Sequence, residues 1–538
     1  TADSARAVLA ARDRCNQLMI RWETAQALSY MRYSINTADA FYLAEKEYYD
    51  EVGPQAQNYL LEYTRAMLET PFRQELEESG QIIPLVFRSF EVELKAMSPE
   101  IVQDMIEENR LVSQYSQLMA GMEFPFRGEN LPRPMLMKYA KSPDRATRKE
   151  AYEVLGKTLK AHSDQLDGIF DQLVHVRDRM AKKMGYQNFV ELGYYRMGRL
   201  CYGPEEVKQF RENVRRDVVP VVARLRKEIG KKLGVDTLML YDYDLIFPQG
   251  DPAPKGGKEA IFAAAKSMYH DMSRETGEFI DFMIEHELMD LKNKPGKAAT
   301  GYMTFLPDYR APFVFSNFNQ TIFDMQVLTH ELGHAFAGYM AMREQPITEY
   351  YSESTDIAEI HSMSMEQFSY PYAEAFFGKY ADKFRFAHLQ EAITFVPFGV
   401  AVDEFQHICY ANPELTPKER TAEWKKLEEK YMPWRKYDVD DFFDRGGFWY
   451  HKLHIYLYPF YYINYTLTTM GAMEFKKKNY ENHETAWQDY LNLCKCGGSM
   501  SYLETLRYAN LSNPFEPGSV ARAMEVAKQE LMNSPFMR

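Results

Sequence analysis

The sequence contains few cysteines, no long apolar run and no excess of basic residues. Five cysteines among 538 residues cannot form a disulfide framework, and their scatter favours free thiols in a reducing compartment. No apolar stretch approaches the roughly 20 residues that a membrane-spanning helix needs. Lysine and arginine total 64 against 77 acidic residues, a net charge of −13. This balance argues against a protein that binds nucleic acid without regard to sequence.

The N-terminal segment does not have the pattern of a signal peptide. Residues 1–21 carry charges throughout and have no uninterrupted apolar core. Because the chain begins at Thr1, the sequence leaves open whether a leader was removed. The composition, 46% hydrophobic and 26% charged, is typical of a packed globular protein. We expect a cytoplasmic protein with no membrane or nucleic-acid partner.

Most of the chain has the periodicity of α-helices. From residue 2 to about residue 232, apolar residues recur at spacings of three and four. The predicted breaks are Gly53-Pro54, Ser98-Pro99, Ser142-Pro143 and Gly203-Pro204, with a small hairpin within residues 122–135. The segment 246–258 is rich in proline and glycine, and we interpret it as a linker. It would join an N-terminal helical lobe, residues 1–245, to a catalytic lobe, residues 259–538.

Two extended segments precede the part of the sequence that carries the chemistry. Residues 302–306 form one of them, and residues 312–319 alternate as a half-buried strand does. We expect the second strand to accept a peptide backbone as an added strand. Its candidate substrate-binding residues are Phe315, Asn317 and Asn319.

The sequence His330-Glu331-Leu332-Gly333-His334 is an HExxH motif, and the segment before it predicts the start of a helix. On a helix, residues four apart are offset by roughly 40° and about 6 Å along the axis. Both imidazoles therefore lie on one face, within reach of a single Zn²⁺. Glu331 lies roughly 100° around the helix, beside the metal, where it can hold a water molecule.

A third zinc ligand must come from further along the chain. The extended metzincin motif is excluded, because Ala337 and Met340 stand where it requires glycine and histidine. A predicted helix capped by Thr355 carries carboxylates at spacings that place them on one stripe. Within this stripe of Asp356, Glu359 and Glu366, we expect one metal ligand and supporting partners. Glu349 and Glu353, before this helix, are the alternatives.

A group of histidine and tyrosine residues near the C-terminus forms a second candidate site. His454, Tyr458, Tyr461 and Tyr465 fall within roughly 60° of one another on a helix, and Tyr462 flanks them. Pro459 indicates that the helix proper begins there, which would place His454 and Tyr458 on the turn that enters it. Their polar groups are suited to stabilising an oxyanion. An aromatic core stripe is the alternative. Elsewhere, Asp403, Glu404 and His407 are interpreted as an intrahelical hydrogen-bonding group.

The motifs together resemble the thimet oligopeptidase and oligoendopeptidase F family of zinc peptidases. The likeness lies in HELGH with a glutamate 25 residues after its second histidine. It is closest to the Pz-peptidase type through HSMSMEQF (361–368), AVDEFQH (401–407), RGGFW (445–449) and HIYLYPFYYINYTL (454–467). The resemblance implies a mainly α, two-lobed helical shell around a deep channel, with a zincin core and a small sheet beside the active-site helix.

The resemblance also implies a role for each candidate residue. It implies that His330, His334 and Glu359 bind one Zn²⁺ per chain, with Asp356 and Glu366 as supporting residues, and that Glu331 is the general base. Tyr458, Tyr465 and His454 would stabilise the oxyanion, and Tyr461 and Tyr462 would contact the substrate. The implied activity is hydrolysis of internal bonds in short peptides.

Two other functions are compatible with the sequence. One is a zinc carboxydipeptidase that acts only at chain ends, and the other is a catalytically silent peptide-binding homologue. The intact Glu331 argues against the silent homologue. The sequence does not determine whether the protein is a monomer or a homo-oligomer.

Overall fold

Helices dominate the computed structural model, which confirms the predicted mainly α fold. The structure describes residues 3–294, 296–298, 301–318, 322–346, 348–351, 354–439 and 441–537. The first thirteen helices are α1 (Ala5–Ile35), α2 (Ala40–Leu68), α3 (Arg73–Glu78), α4 (Pro84–Ala96), α5 (Val102–Gly121), α6 (Arg133–Tyr139), α7 (Arg145–Ala161), α8 (Ser163–Lys183), α9 (Phe189–Arg196), α10 (Pro204–Asp217), α11 (Val219–Lys232), α12 (Lys258–Met272) and α13 (Arg274–Glu285).

The remaining helices belong to the second half of the chain, which carries the HExxH motif. They are α14 (Ile322–Glu344), α15 (Thr355–Phe368), α16 (Ala373–Phe377), α17 (Ala381–Ala411), α18 (Pro417–Tyr431), α19 (Asp441–Asp444), α20 (Leu453–Leu457), α21 (Ile463–Glu481), α22 (His483–Cys496), α23 (Tyr502–Tyr508), α24 (Ser519–Ala523) and α25 (Glu525–Asn533). None of the described helices is both long enough and apolar enough to span a bilayer.

Five strands form two small sheets. The predicted hairpin is confirmed: β1 (Phe124–Phe126) pairs antiparallel with β2 (Glu129–Leu131). Its turn places Arg127 and Gly128 at φ 51° and 88°, as a tight hairpin turn requires. The second sheet contains β3 (Met289–Lys292), β4 (Tyr302–Leu306) and β5 (Ala311–Phe318).

The position of β5 contradicts the prediction that it accepts a substrate strand. The strand order is β3-β5-β4, with β3 parallel and β4 antiparallel to β5. Phe315 is paired with Asp290 on one side and with Tyr302 on the other. The central strand therefore has both edges occupied along this stretch, and a peptide has no backbone groups there to pair with.

The chain divides into two compact units, each assembled from three separate segments. Unit 1 comprises Thr1–Leu94, Pro252–Arg385 and Gly471–Asn513. Unit 2 comprises Lys95–Asp251, Phe386–Met470 and Pro514–Arg538. Both units draw on the N-terminal and the C-terminal halves of the chain, whereas the sequence predicts lobes at residues 1–245 and 259–538. The predicted lobes and their linker stay a prediction.

In unit 1, the three-stranded sheet and two helices surround α14. Strand β5 packs along α14, and α15 and α22 pack against other parts of the same helix. Phe336 of α14 stacks with Trp487 and Tyr490 of α22 at ring-centroid distances of 6.3 and 6.4 Å. Because it is covered by these elements, α14 is apolar on most of its surface, and Leu332 and Phe336 are fully buried.

In unit 2, a buried arginine holds the segment that contains His454. Arg177 is fully buried and donates hydrogen bonds to Glu108, to the hydroxyl of Tyr410 and to the carbonyl of Tyr456, at 2.6, 2.7 and 2.7 Å. These bonds satisfy a charge that would otherwise be costly to bury. They attach α20 to α8 and α17 through one side chain.

Two helix boundaries differ from the predictions. The predicted break at Gly53-Pro54 is wrong, because α2 continues through it from Ala40 to Leu68. The C-terminal aromatic segment is not one helix. It comprises α20, a turn at residues 458–462 in which Phe460 has a φ of 63°, and α21.

Candidate metal centre

Helices α14 and α15 bring three potential metal ligands together. Nε2 of His330 lies 3.1 Å and Nε2 of His334 lies 3.4 Å from the same Oε2 of Glu359. One ligand atom from each residue falls within 4.8 Å of the other two. Ligands bonded at about 2.0–2.1 Å to a tetrahedral Zn²⁺ lie roughly 3.3 Å apart. The observed separations therefore fit a single tetrahedral ion.

A glycine of the motif allows the two helices to approach closely enough. A Cβ atom at Gly333 would lie 2.7 Å from Cα of Ser362 and 2.9 Å from Cβ of Met365. Both distances are shorter than any tolerable contact, so a larger residue would push α15 away. Gly333 thus sets how near Glu359 comes to the two imidazoles. The motif pattern alone, which admits any residue at this position, did not reveal this role.

Glu366 lies about two helical turns after Glu359 on α15 and supports the first histidine of the motif. Its Oε1 lies 2.6 Å from Nδ1 of His330. A carboxylate in this position accepts the Nδ1 proton and leaves Nε2 free to bind a metal. The sequence prediction that Glu366 supports a ligand agrees with this contact, although its role at a metal stays a prediction.

A serine that the sequence analysis missed also orients the glutamate. The hydroxyl of Ser362 donates to Oε2 of Glu359 at 3.0 Å. Its signal in the sequence is only its position three residues after Glu359 on the same helix, which many serines share. Asp356, the other predicted supporting residue, is buried and accepts a hydrogen bond from the hydroxyl of Ser354. Ser354, rather than Thr355, is the cap position of α15.

The charges of the site favour an ionised Glu359. Burial alone would raise the pKa of Glu359, but hydrogen bonds from His330 and His334 outweigh it and hold the pKa well below its usual value. Burial would likewise lower the pKa of His330, yet its hydrogen bonds to Glu359 and Glu366 raise it well above the ordinary value. Glu359 is therefore held in its ionised form beside two imidazoles, and a carboxylate oxygen with two imidazole nitrogens is a donor set suited to Zn²⁺.

Glu331 lies beside this set and is not part of it. Its side chain is half-buried, and burial is the main reason that its pKa is raised. The charges of Glu359 and Glu366 raise it further, against the opposing effect of the two histidines. A carboxyl group whose pKa lies nearer to neutrality is better suited to moving a proton than an ordinary surface glutamate.

The alternative ligands do not join this site among the residues that the structure describes. Glu349 forms an ion pair of 2.7 Å with Arg12 and accepts hydrogen bonds from Asn16. Glu353 lies outside the described residues.

The predicted substrate residues on β5 are occupied by contacts within unit 1. Phe315 is fully buried, with its ring stacked on Tyr302 at 4.9 Å. Asn317 donates to the carbonyl of Ala298 at 2.7 Å. The Phe315 side chain has no exposed surface in this structure, and its predicted contact with a substrate stays a prediction. Asn319 lies outside the described residues.

The aromatic residues of unit 2 gather around one imidazole although they do not share a helix. We call His454, Tyr458, Tyr461, Tyr462 and Tyr465 the His/Tyr cluster. The ring of His454 lies 5.8, 6.3, 4.7 and 6.0 Å from the rings of Tyr458, Tyr461, Tyr462 and Tyr465. The turn at residues 458–462 brings the tyrosines back toward His454, which a continuous helix would not do.

The members of the His/Tyr cluster differ in accessibility and in charge. Tyr458 is 52% exposed, whereas Tyr462 is buried. Burial, followed by the charge of Lys452, lowers the pKa of His454 to about 4. The imidazole is therefore neutral at physiological pH. Its Nδ1 has no hydrogen-bond partner in the described part of the chain. The cluster thus holds a half-buried neutral imidazole beside tyrosine hydroxyls.

The third group singled out in the sequence has the predicted local hydrogen bonds. His407 Nδ1 lies 2.9 Å from the carbonyl of Asp403 and 3.3 Å from its carboxylate. Nε2 meets the hydroxyl of Tyr194 at 3.0 Å, and Arg211 pairs with Asp403 at 2.6 Å. This buried network ties α17 to α9 and α10 within unit 2.

Comparison with known proteins identifies the family. The family model described as Peptidase family M3 matches residues 138–248 and 265–525. The model described as Peptidase M3 N-terminal domain matches residues 1–97. Group B oligopeptidase PepB of Streptococcus agalactiae serotype III (strain NEM316) is 24% identical over 81% of this chain and 73% of that protein. Oligopeptidase PepF of Bacillus subtilis (strain 168) is 21% identical over 100% of this chain and 82% of that protein.

Solved structures share the whole fold. The structure of PZ peptidase A with inhibitor 2 is 44% identical, with a TM-score of 0.91 over 100% of this chain and 95% of that chain. Oligoendopeptidase F from Enterococcus faecium, 18% identical, has a TM-score of 0.66 over 99% and 94% and so shows the fold alone. The family description covers well over half of the sequence and includes the helices that carry the candidate metal centre. The chain therefore belongs to peptidase family M3.

Proposed function

We propose that this chain, an oligopeptidase of family M3, is a zinc-dependent endopeptidase that hydrolyses internal bonds of short peptides with Glu331 as the general base. The observation that carries the proposal is the convergence of His330, His334 and Glu359 at distances suited to one tetrahedral ion. The carboxylate of Glu366 behind His330 adds the support that zinc-binding histidines usually have.

The donor set determines which metal fits. Two imidazole nitrogens and one carboxylate oxygen match the catalytic zinc sites of hydrolases, in which three protein ligands leave one position open. When bound, Zn²⁺ supplies Lewis acidity, which lowers the pKa of a water molecule and polarises a carbonyl group.

Glu331 moves the proton. Its carboxylate accepts a proton from the water that attacks the carbonyl carbon of the scissile bond. It then delivers this proton to the nitrogen of the departing amine as the carbon–nitrogen bond breaks. The raised pKa of Glu331 supports this assignment, because a group that both accepts and returns a proton works best near the ambient pH.

The His/Tyr cluster is proposed to stabilise the negative charge that forms on the carbonyl oxygen. Its neutral histidine and exposed tyrosine hydroxyl are donors of the appropriate kind. This role for His454, Tyr458 and Tyr465 is a prediction, as is a substrate contact by Tyr461 and Tyr462.

The test uses a fluorogenic peptide blocked at both termini. We expect cleavage at an internal bond, loss of activity with a chelator, and recovery with one equivalent of Zn²⁺. Glu331→Gln should keep its zinc and lose roughly 10²–10⁴-fold in kcat, the usual contribution of a general base. Glu344→Gln, an exposed glutamate at the end of the same helix, is the matched control and should leave kcat unchanged.

Each alternative has its own outcome. A carboxydipeptidase would release dipeptides from unblocked peptides and spare the blocked one. A silent homologue would cleave neither peptide with zinc bound. Near wild-type turnover by Glu331→Gln would show that another group moves the proton.

A further inference from the structure

An open cavity of about 670 Å³ lies within unit 1, and none of its lining residues is a candidate metal ligand. Helices α1, α2 and α4 form much of its wall, and strand β4 and the end of α14 contribute to it. Met342 of α14 lines the cavity and lies eight residues after His334, roughly 12 Å further along the helix. The volume is within the range of about 300–1,000 Å³ that small-molecule sites have.

Two glutamates in the cavity wall form no ion pair with any residue that the structure describes. Glu23 lies on α1, and Glu93 lies on α4 and accepts a hydrogen bond from the hydroxyl of Thr64 at 3.0 Å. Surrounding protein atoms partly desolvate both carboxyl groups and raise their pKa, although the cavity keeps both side chains accessible. A third glutamate of the wall, Glu349, has a cationic partner. Lys46 lines the cavity too, so the wall has more acidic than basic groups.

The same wall contains hydroxyl groups that lack hydrogen bonds within the described part of the chain. Ser29 lines the cavity and is only 6% exposed, and its hydroxyl has no partner. The hydroxyl of Tyr63, another lining residue, is buried and equally unpartnered. Buried polar groups in folded proteins nearly always have a hydrogen-bond partner. These two oxygens therefore indicate a polar ligand, and each can accept a hydrogen bond from it.

Aromatic and aliphatic side chains form much of the remaining wall. Rings from six residues line the cavity: Tyr30, Tyr49, Tyr63, Phe90, Phe305 and Tyr351. The rings of Tyr63 and Phe90 meet edge to face at a centroid distance of 6.0 Å. Aromatic rings attract organic cations through their π-faces. Aliphatic residues such as Leu60 provide contacts that suit an alkyl chain.

The spacing of the acidic groups does not suit an inorganic ion. Protein sites for a divalent ion bring several ligand atoms close together. At the candidate metal centre three ligand atoms lie within 4.8 Å of one another, and no second group of this kind exists among the described residues. Glu23, Glu93 and Glu349 therefore do not converge on one small ion. A larger organic cation fits such a wall better, because its charge meets the carboxylates while its carbon chain contacts the rings.

We propose that this cavity binds a primary ammonium group on an alkyl chain, with Glu23 and Glu93 as its anionic partners. Two sources present this chemistry: the side chain of a lysine in a peptide, and a small free amine. The first source rests on the proposed function, because it takes the peptide to be a substrate. In that case the cavity would select peptides that carry a lysine away from the bond that is cut.

The first test titrates the zinc-loaded protein by calorimetry at pH 7.5 with n-pentylamine and with 1-pentanol, which has the same chain without the charge. We expect the amine to bind about tenfold more tightly, as a charge-assisted hydrogen bond allows. The double variant Glu23→Gln, Glu93→Gln should lose this difference. The control is Glu62→Gln, since Glu62 is an exposed residue of α2 that does not line the cavity, and it should keep the ratio.

A wild-type ratio within twofold, or an unchanged ratio in the double variant, would overturn the proposal. A second variant, Ala27→Phe, fills the cavity and keeps both glutamates, because Ala27 is a lining residue. It should weaken amine binding about tenfold, as the loss of contacts to two methylene groups predicts. Unchanged affinity would place the amine elsewhere and would also overturn the proposal. Circular dichroism shows whether each variant folds, and Ala27→Phe decides if the double variant does not.

A second titration distinguishes the two sources of the ammonium group. Short peptides blocked at both termini, with one lysine or one norleucine at successive positions, are titrated into Glu331→Gln. A preference for lysine of about tenfold that disappears when Glu23→Gln and Glu93→Gln are added would identify a peptide side chain as the ligand. Equal binding of both peptide sets, together with amine binding, would identify a free amine. If the wild-type protein cleaves no peptide, the endopeptidase proposal fails, while the amine titration still decides the cavity.

Discussion

Removing the carboxylate of Glu366 should weaken metal binding at the candidate centre without unfolding the protein. The Nδ1–Oε1 distance to His330 is 2.6 Å, and the exposed fractions of the two side chains are 26% and 12%. A hydrogen bond to a charged group in such a shielded position contributes about 1.5–3 kcal/mol. Since 1.36 kcal/mol corresponds to a factor of ten, Glu366→Ala should weaken Zn²⁺ binding about 10- to 100-fold.

A second variant separates the contribution of the Glu366 charge to metal affinity from that of its hydrogen bond. Glu366→Gln keeps an oxygen that accepts the Nδ1 proton but removes the charge, so we expect it to lose less affinity than Glu366→Ala. Dissociation constants would be measured at pH 7.5 by competition with a chromophoric chelator. Glu278→Gln, which changes an exposed glutamate of unit 1, is the matched control. A dissociation constant for Glu366→Ala within twofold of wild type would refute the argument that Glu366 orients His330.

Two further predictions concern packing and pH. Gly333→Ala should lower the free energy of unfolding by about 1–3 kcal/mol and weaken Zn²⁺ binding, because its Cβ would overlap Ser362 and Met365; urea unfolding and chelator competition check this. Burial raises the pKa of Asp167 to about 6, although Tyr450 donates a hydrogen bond to it. A carboxyl with a raised folded-state pKa stabilises the fold at low pH, and this contribution is lost as the pH rises through 6. Relative to Asp167→Asn, the wild-type protein should lose about 1–3 kcal/mol between pH 4 and pH 8 in urea titrations; equal slopes for both proteins would contradict it.

The candidate metal ligands could be predicted because their pattern is local. The spacing of His330 and His334 depends only on helical geometry, and α14 has the predicted position. By helical spacing alone, Glu359 is one of several candidate carboxylates. The choice among them depends on how closely α15 approaches α14, which is determined by Gly333 and its contacts. A tertiary contact of this kind leaves no periodic signal in a sequence.

The predictions that were wrong concern features that depend on contacts between residues far apart in the sequence. The alternation in residues 312–319 correctly predicts a strand, but not that it is central, because pairing partners come from residues 289–292 and 302–306. Gly53-Pro54 predicts a helix end by propensity. In the structure α2 packs against α1, and packing overrides a weak local preference. Pro459 predicts the start of the last aromatic helix, but α21 begins at Ile463, because Phe460 has a positive φ and belongs to the turn before it.

One packing surface of the candidate metal centre comes from a helix that is synthesised well after the helices carrying the ligands. Helix α22 covers α14 through Trp487, and Tyr490 donates a hydrogen bond of 2.9 Å to the carbonyl of His361 in α15. A ribosome adding about 5–20 residues per second needs roughly 7–27 s to proceed from Glu359 to Cys496. During that interval the nascent ligand helices have an uncovered apolar face, which is a target for chaperones. The three candidate ligands are therefore synthesised before the helix that covers their site.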